Sequence, residues 1–245
     1  DNHIKPYIGK KTLTSVTTTD IQRLYNKLKR EGRIASREKY GEGLAGSTVR
    51  SVHMLLHEAM DGAVKEGLIP FNPTEAATIP KNEKTEKTIL LESQIETFMQ
   101  ALEGDEIWHD FFYTAIMTGM RRGEICGLKW SDFNEENGTL HIQRSVRYAR
   151  GIYIVGETKT NEGNRKIVLP ASVVEMLKER KKKALTEWIF PKPYYPEHPM
   201  NPSSAYTQLK NLLHRAGLPD MRFHDLRHTF ATMALENGMD VKTLS

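Results

Sequence analysis

The sequence predicts a mainly α-helical protein of two domains with one small antiparallel sheet. Three observations carry this. Apolar residues recur at helical spacing through 21–63, 93–117 and 171–237; the period changes to alternation between 139 and 169; and the polar, core-free stretch KNEKTEKT at 81–88 divides the chain. At 245 residues and 38% hydrophobic content, each half has enough apolar mass for its own core.

In the first half, Ile21, Leu24, Tyr25 and Leu28 recur at i, i+3, i+4 and i+7, with Thr19 or Asp20 as the expected cap. The opposite face carries Arg23, Lys27, Lys29 and Arg30, so this helix is amphipathic and basic. A charged, glycine-containing loop (31–46) leads to Ser47, the expected cap of a second stripe through Val49, Val52, Leu55, Leu56, Ala59 and Ala63. Gly67 and then Pro70, Pro73 and Pro80 close this domain at about residue 80, and 81–88 is the linker.

Beyond it, 93–102 and 106–117 read as helices, the latter with Ile107, Phe111, Phe112, Ala115 and Ile116 on one face and Gly119 as its stop. A short helix is expected over 122–128. Segments 139–148, 152–155 and 166–169 then read as a three-strand antiparallel meander, with Lys159 approaching its second turn. Helices follow at 171–185, 202–216 and 223–237. The single cysteine, Cys126, excludes an internal disulfide framework and a cysteine zinc cluster, which fits a reducing cytoplasm. No apolar run reaches membrane length. Both ends break off in mid-pattern, and the chain is expected to be part of a longer polypeptide.

The net charge of +4 is the small difference between 35 Lys and Arg and 31 Asp and Glu, so the basicity is regional, as on a surface that meets a polyanion. Two blocks concentrate the chemistry: TGMRRGEICGLKWSDF at 118–133 and HDLRHTFAT at 224–232. Arg121 follows a glycine break, and His224 and Arg227, three apart, share a helix face. A planar guanidinium meets two phosphate oxygens at once, so Arg121 on one element and His224/Arg227 on another outline a phosphodiester site. The plainer alternatives are an Arg121–Glu124 surface pair, a half zinc site at His224/His228, and a solvated hairpin charge at Lys159. Asp225 and His228 are expected to support their neighbours, and Cys126 and Trp130 to be core.

The blocks resemble those of the tyrosine recombinase, or phage integrase, family, and most of all the integrases of conjugative transposons. Thr118-Gly119-x-Arg121-x-x-Glu124-x-x-x-Leu128-x-Trp130 looks like the motif of the family's first arginine, with Glu124 as its supporting carboxylate. His224 and Arg227 look like the H-x-x-R pair, and Lys159 like the hairpin lysine that protonates the departing 5′ hydroxyl. The resemblance implies a helical core-binding domain at 1–80, a linker at 81–88 and an α+β catalytic domain at 89–245 that is incomplete at its C-terminus. The family's final His or Trp and its nucleophilic tyrosine cannot fit into the eighteen residues after Arg227 (245 − 227 = 18).

It further implies site-specific recombination, integrating and excising a mobile element through a 3′-phosphotyrosyl intermediate with neither metal nor ATP. The implied partners are double-stranded DNA at element ends and target sites, other copies of the chain in a tetrameric synapse, and accessory bending or excision factors. The implied setting is the bacterial cytoplasm, on the nucleoid, with no membrane. Phosphate contacts are expected from Lys27, Lys29, Arg30, Arg37, Lys39 and Arg50, with Arg50 and His53 on the solvent side of their helix facing a groove. The alternative is a non-catalytic, sequence-specific DNA-binding regulator.

Overall fold

The basic amphipathic segment forms a helix as its spacing predicts, but its start is set by Thr17. In this computed structural model, which describes residues 2–81, 88–157 and 163–236, Thr17 Oγ1 accepts from the Asp20 backbone N–H at 3.2 Å. The Asp20 carboxylate accepts in turn from the Thr17 backbone N–H at 3.0 Å. This reciprocal box satisfies two end groups at once, and Asp20 does its part from the third helical position, so the cap is neither Thr19 nor Asp20.

The chain separates into two compact units, Asp1–Glu86 and Lys87–Ser245. The first holds α1 (Lys5–Ile8), α2 (Thr18–Glu31), α3 (Arg37–Tyr40) and α4 (Gly46–Lys65). Ile21, Leu24, Tyr25 and Leu28 of α2 are buried against Val49, Val52 and Leu56 of α4. The buried stripe of α4 runs through His53 rather than Leu55, which is 60% exposed. Ser47 does not cap α4: the helix begins at Gly46 behind an extended Ala45, with no side-chain cap bond.

The second unit begins with α5 (Glu92–Gln100), α6 (Trp108–Thr118) and α7 (Arg122–Cys126). Strands β1 (Phe133–Asn134), β2 (Thr139–Ile142), β3 (Arg144–Ala149), β4 (Ile152–Glu157) and β5 (Arg165–Val168) follow. After α8 (Ala171–Lys182) come β6 (Pro191–Lys192), β7 (Tyr195–Pro199), α9 (Pro202–Arg215) and α10 (Phe223–Glu236). The core centres on Phe98, Phe111, Phe112, Phe190 and Phe223, whose rings meet mainly edge to face at 5.4–6.2 Å, as aromatic quadrupoles favour. Trp130 and Ile107 lie at its margin, half-buried and 39% exposed respectively.

The sheet departs from the expected meander. Gln143 interrupts the segment 139–148, its amide donating to the buried Asp132 carboxylate at 2.7 Å, and divides it into β2 and β3. β3 pairs antiparallel with β4, while β2 pairs with β1 and with β5, so β5 returns past that hairpin to β2. In this register Leu140 faces Ile167 and Ile142 faces Arg165. The β6–β7 hairpin was illegible in the sequence because PKPYYPEHP is proline-rich, and proline fits strands only at edges and bulges.

Candidate catalytic site

The turn between α6 and α7 is the foundation of the site. Gly119 ends α6 in the left-handed region, at φ 58° and ψ 21°, where a side chain is disfavoured. A β-carbon there would also lie 2.3 Å from the Phe230 ring of α10. With this close approach, the Gly119 carbonyl accepts a hydrogen bond from Arg227 Nη1 at 2.8 Å. Two residues on, Arg121 sits at the N-cap of α7 in extended conformation, its side chain 57% exposed.

Glu124 is buried and its carboxylate is shared. Oε2 accepts from the Arg121 backbone N–H at 3.0 Å and from Arg165 Nη2 at 3.0 Å. Oε1 accepts from Arg121 Nη1 at 2.9 Å and from Arg165 Nη1 at 3.3 Å. Burial pushes the carboxyl toward its neutral form, but the bonds from Arg165 and Arg121 outweigh it and hold Glu124 below the usual glutamate range.

Arg227 lies half-buried on α10. Burial, and then the positive charges of Arg121 and Arg165, lower its pKa, so the three guanidinium groups stand within electrostatic reach of one another. His224, one turn earlier and exposed, is shifted downward by partial burial and then by the Arg227 charge, with Arg222 and Arg121 acting the same way and Asp225 opposing. Arg121, His224 and Arg227, about a hundred residues apart in sequence, are thus brought together. A concentration of positive charge with one recessed carboxylate suits an anion whose charge grows during reaction.

Asp225 is bound instead to Arg222. It is buried and accepts from the Arg222 backbone N–H at 2.8 Å, Nε at 3.0 Å and Nη2 at 2.8 Å, closing the start of α10. His228 is half-buried, its ring edge-on to His224 at 4.9 Å. Among the described residues no three His, Cys, Asp or Glu side chains gather as a metal centre requires. Lys159 lies outside the described residues.

In the first unit, Lys27, Lys29, Arg30, Arg37 and Lys39 are exposed and Arg50 is half-buried. Lys27 is 4.0 Å and Arg30 3.2 Å from Glu31, Arg37 Nε donates to the Arg33 carbonyl at 2.6 Å, and Lys39 lies 5.2 Å from the Tyr40 ring centre. The placement of His53 on the solvent side is overturned. It is 9% exposed, and its Nδ1 is 2.8 Å from the Tyr25 hydroxyl, because a buried phenol needs a partner and the α4 stripe supplies one.

Sequence reasoning missed Arg165. The sequence Arg-Lys-Ile-Val carries no apolar alternation to mark it; only in the folded β5 do Arg165 and Ile167 turn inward and Lys166 and Val168 outward. An inward arginine opposite the buried Ile142 calls for a buried acid.

Comparison with known proteins agrees with this architecture. The model of the phage integrase family matches residues 88–245, and that of the phage integrase N-terminal SAM-like domain matches residues 1–29. A tyrosine recombinase XerC-like protein of Caldanaerobacter subterraneus subsp. tengcongensis is 29% identical over 280 residues, covering 100% of this chain and 68% of that protein. The chain therefore spans about two thirds of that relative's length. The Tn1549 transposon integrase, solved with transposon right end DNA, is 24% identical with a TM-score of 0.79, covering 97% of this chain and 78% of that one. A lambda integrase tetramer bound to a Holliday junction is 21% identical with a TM-score of 0.66, covering 94% and 63%. With its cluster of arginines on this fold and a family match over most of its length, the chain belongs to the phage integrase family.

Proposed function

We propose that this chain is the DNA-binding and catalytic body of a tyrosine-type site-specific DNA recombinase that integrates and excises a mobile element. The observation that carries this reading is the meeting of Arg121, His224 and Arg227 around the Gly119 turn. Arg121 and Arg227 hold the non-bridging oxygens of the scissile phosphate, and each preorganised donor of this kind is worth roughly 10²–10³ in rate. His224 adds a third donor, Glu124 steadies Arg121, and Asp225 and His228 support α10.

A tyrosine releases its hydroxyl proton to solvent and attacks phosphorus, forming a 3′-phosphotyrosyl bond as the P–O5′ bond breaks, and Lys159 gives its proton to the departing 5′ oxygen. The 5′ hydroxyl of a partner strand then attacks this linkage, restores the phosphodiester and frees the tyrosine. Bond energy is conserved throughout, so the cycle needs no ATP. No tyrosine within residues 1–245 is assigned as that nucleophile.

Residues 1–80 serve as the core-binding domain and 81–88 as the linker across the duplex, with 89–245 as the catalytic domain. The match of residues 1–29 to an integrase N-terminal domain supports this division. Lys27, Lys29, Arg30, Arg37, Lys39 and Arg50 contact phosphates, each released counterion adding to a salt-dependent affinity. The XerC-like relative and the Tn1549 integrase support a DNA substrate, and the lambda integrase tetramer supports assembly of several copies on DNA. Accessory bending or excision factors act on the same complex, in the bacterial cytoplasm.

The test is a nicked suicide substrate carrying the element's ends, presented to the polypeptide extended through its tyrosine segment. A covalent 3′ adduct is expected, with Arg121→Ala and Arg227→Ala abolishing it while duplex affinity stays within an order of magnitude. Tight, sequence-specific binding with no adduct on any site makes the chain a regulator instead. Lys159→Ala is expected to regain activity on a 5′-bridging sulfur substrate, whose leaving group needs no proton.

A further inference from the structure

We propose that Arg165 is a positioning residue for strand cleavage, setting the Arg121 guanidinium through the Glu124 carboxylate that both arginines share. This rests on the recombinase reading and adds to it a component that contacts no DNA. Arg165 reaches both oxygens of Glu124, at 3.0 and 3.3 Å, and Arg121 holds the same two oxygens through its backbone N–H and Nη1. Glu124 is 3% exposed at its side chain and Arg165 25%, whereas Arg121 is 57% exposed. The inner pair is therefore fixed, and the outer guanidinium keeps free donors for a phosphate.

Two features distinguish this from a surface ion pair. The fork of Arg165 fits both carboxylate oxygens and so fixes the plane of the carboxylate, which a point charge does not. The charges also divide unevenly: Glu124 faces Arg121, Arg165 and, at longer range, Arg227, so one negative charge sits among three positive ones. Removing Arg165 leaves burial acting on Glu124 with half its hydrogen bonds gone. Its pKa then rises and Arg121 loses its anchor as pH falls.

The experiment follows covalent adduct formation on the suicide substrate against pH, using the full polypeptide with R165M, R165K, E124Q and the double variant E124Q/R165M. Loss of alignment of this kind costs roughly 10–100-fold in rate. R165M is therefore expected to slow adduct formation by that factor at neutral pH with little change in DNA affinity, and to move the acid limb of the profile upward by roughly one unit or more. In E124Q, adding R165M is expected to cost little further, because Arg165 acts through Glu124. R165K keeps the charge without the fork, so its acid limb stays near that of the parent while its rate falls severalfold.

An acid limb unmoved in R165M, losses that multiply in the double variant, or a parental rate in R165K overturns the proposal and leaves the recombinase reading intact. R165K, the milder change, decides the matter if R165M does not fold. A parent polypeptide that forms no adduct on its own sites fails the recombinase reading itself, and this proposal falls with it.

Discussion

Arg227 Nη1 donates to the carbonyl oxygen of Gly119 at 2.8 Å, joining residues 108 positions apart in the chain. The bond depends on a backbone that few residues can supply. Gly119 has φ 58°, and its Cα lies so near Phe230 that an added β-carbon would meet the ring at 2.3 Å. Gly119→Ala therefore combines left-handed strain with overpacking, and we expect it to destabilise the catalytic unit by about 2–4 kcal/mol. Urea unfolding of the chain measures this directly. A loss below about 1 kcal/mol would mean that α6 and α10 separate easily there, and the turn would not then hold Arg227 in place.

The Tyr25–His53 pair predicts a pH dependence in the first unit. Burial, then the neighbouring His57 and Arg50, lower the His53 pKa below 6.5, so the native state prefers the neutral ring. The stabilisation from this group is complete above pH 6.5 and is lost as pH falls through the lowered native value. The stability advantage of the parent over His53→Gln should be largest above neutrality and shrink on acidification. The salt dependence of DNA binding should be the same in both, since a residue 9% exposed releases no counterion. A changed salt slope would restore His53 to the DNA surface.

Cys126 offers a chemical check on the core. It is fully buried, and burial drives its thiol pKa far above the ordinary value, leaving almost no thiolate at pH 8. Labelling by a disulfide reagent should be negligible in the native chain and appear in step with unfolding by urea. Rapid native labelling would show that α7, which carries Glu124 and follows Arg121 at its N-cap, opens locally.

How much was legible in the sequence follows from the range of each signal. Helical stripes are local and strongly periodic, so α2, α6, α9 and α10 emerge within a few residues of their ends. The blocks around Arg121 and His224 are short and dense, which made them readable as a phosphate site. What depended on pairing between distant residues was not readable. The stripe of α4 passes through His53 because Tyr25, 28 residues away, supplies a hydroxyl. The sheet closes β5 onto β2 because a Gln143 bond to Asp132 splits one strand into two. Arg165 was overlooked because its purpose becomes visible only when Glu124, 41 residues earlier, is seen to be buried.

Asp132 is the residue on which the strand break depends. Its buried carboxylate accepts from the Lys129 backbone N–H at 2.8 Å and the Gln143 amide at 2.7 Å, and it pairs with Arg144, which also donates to the Gly127 carbonyl at 3.3 Å. Asp132→Ala strands a largely buried guanidinium, and breaking such a pair costs about 3–5 kcal/mol. Removing Arg144 as well relieves that uncompensated charge, so the double variant Asp132→Ala/Arg144→Ala should be less destabilised than the two single losses summed. The coupling expected for residues in contact is about 1–3 kcal/mol. The same break allows β5 to close on β2, with Arg165 in the strand that reaches Glu124. Asp132→Ala should therefore also slow adduct formation at pH and temperature where the chain remains folded. Additive stabilities and an unchanged rate would mean that the backbone alone sets the break, independently of Asp132.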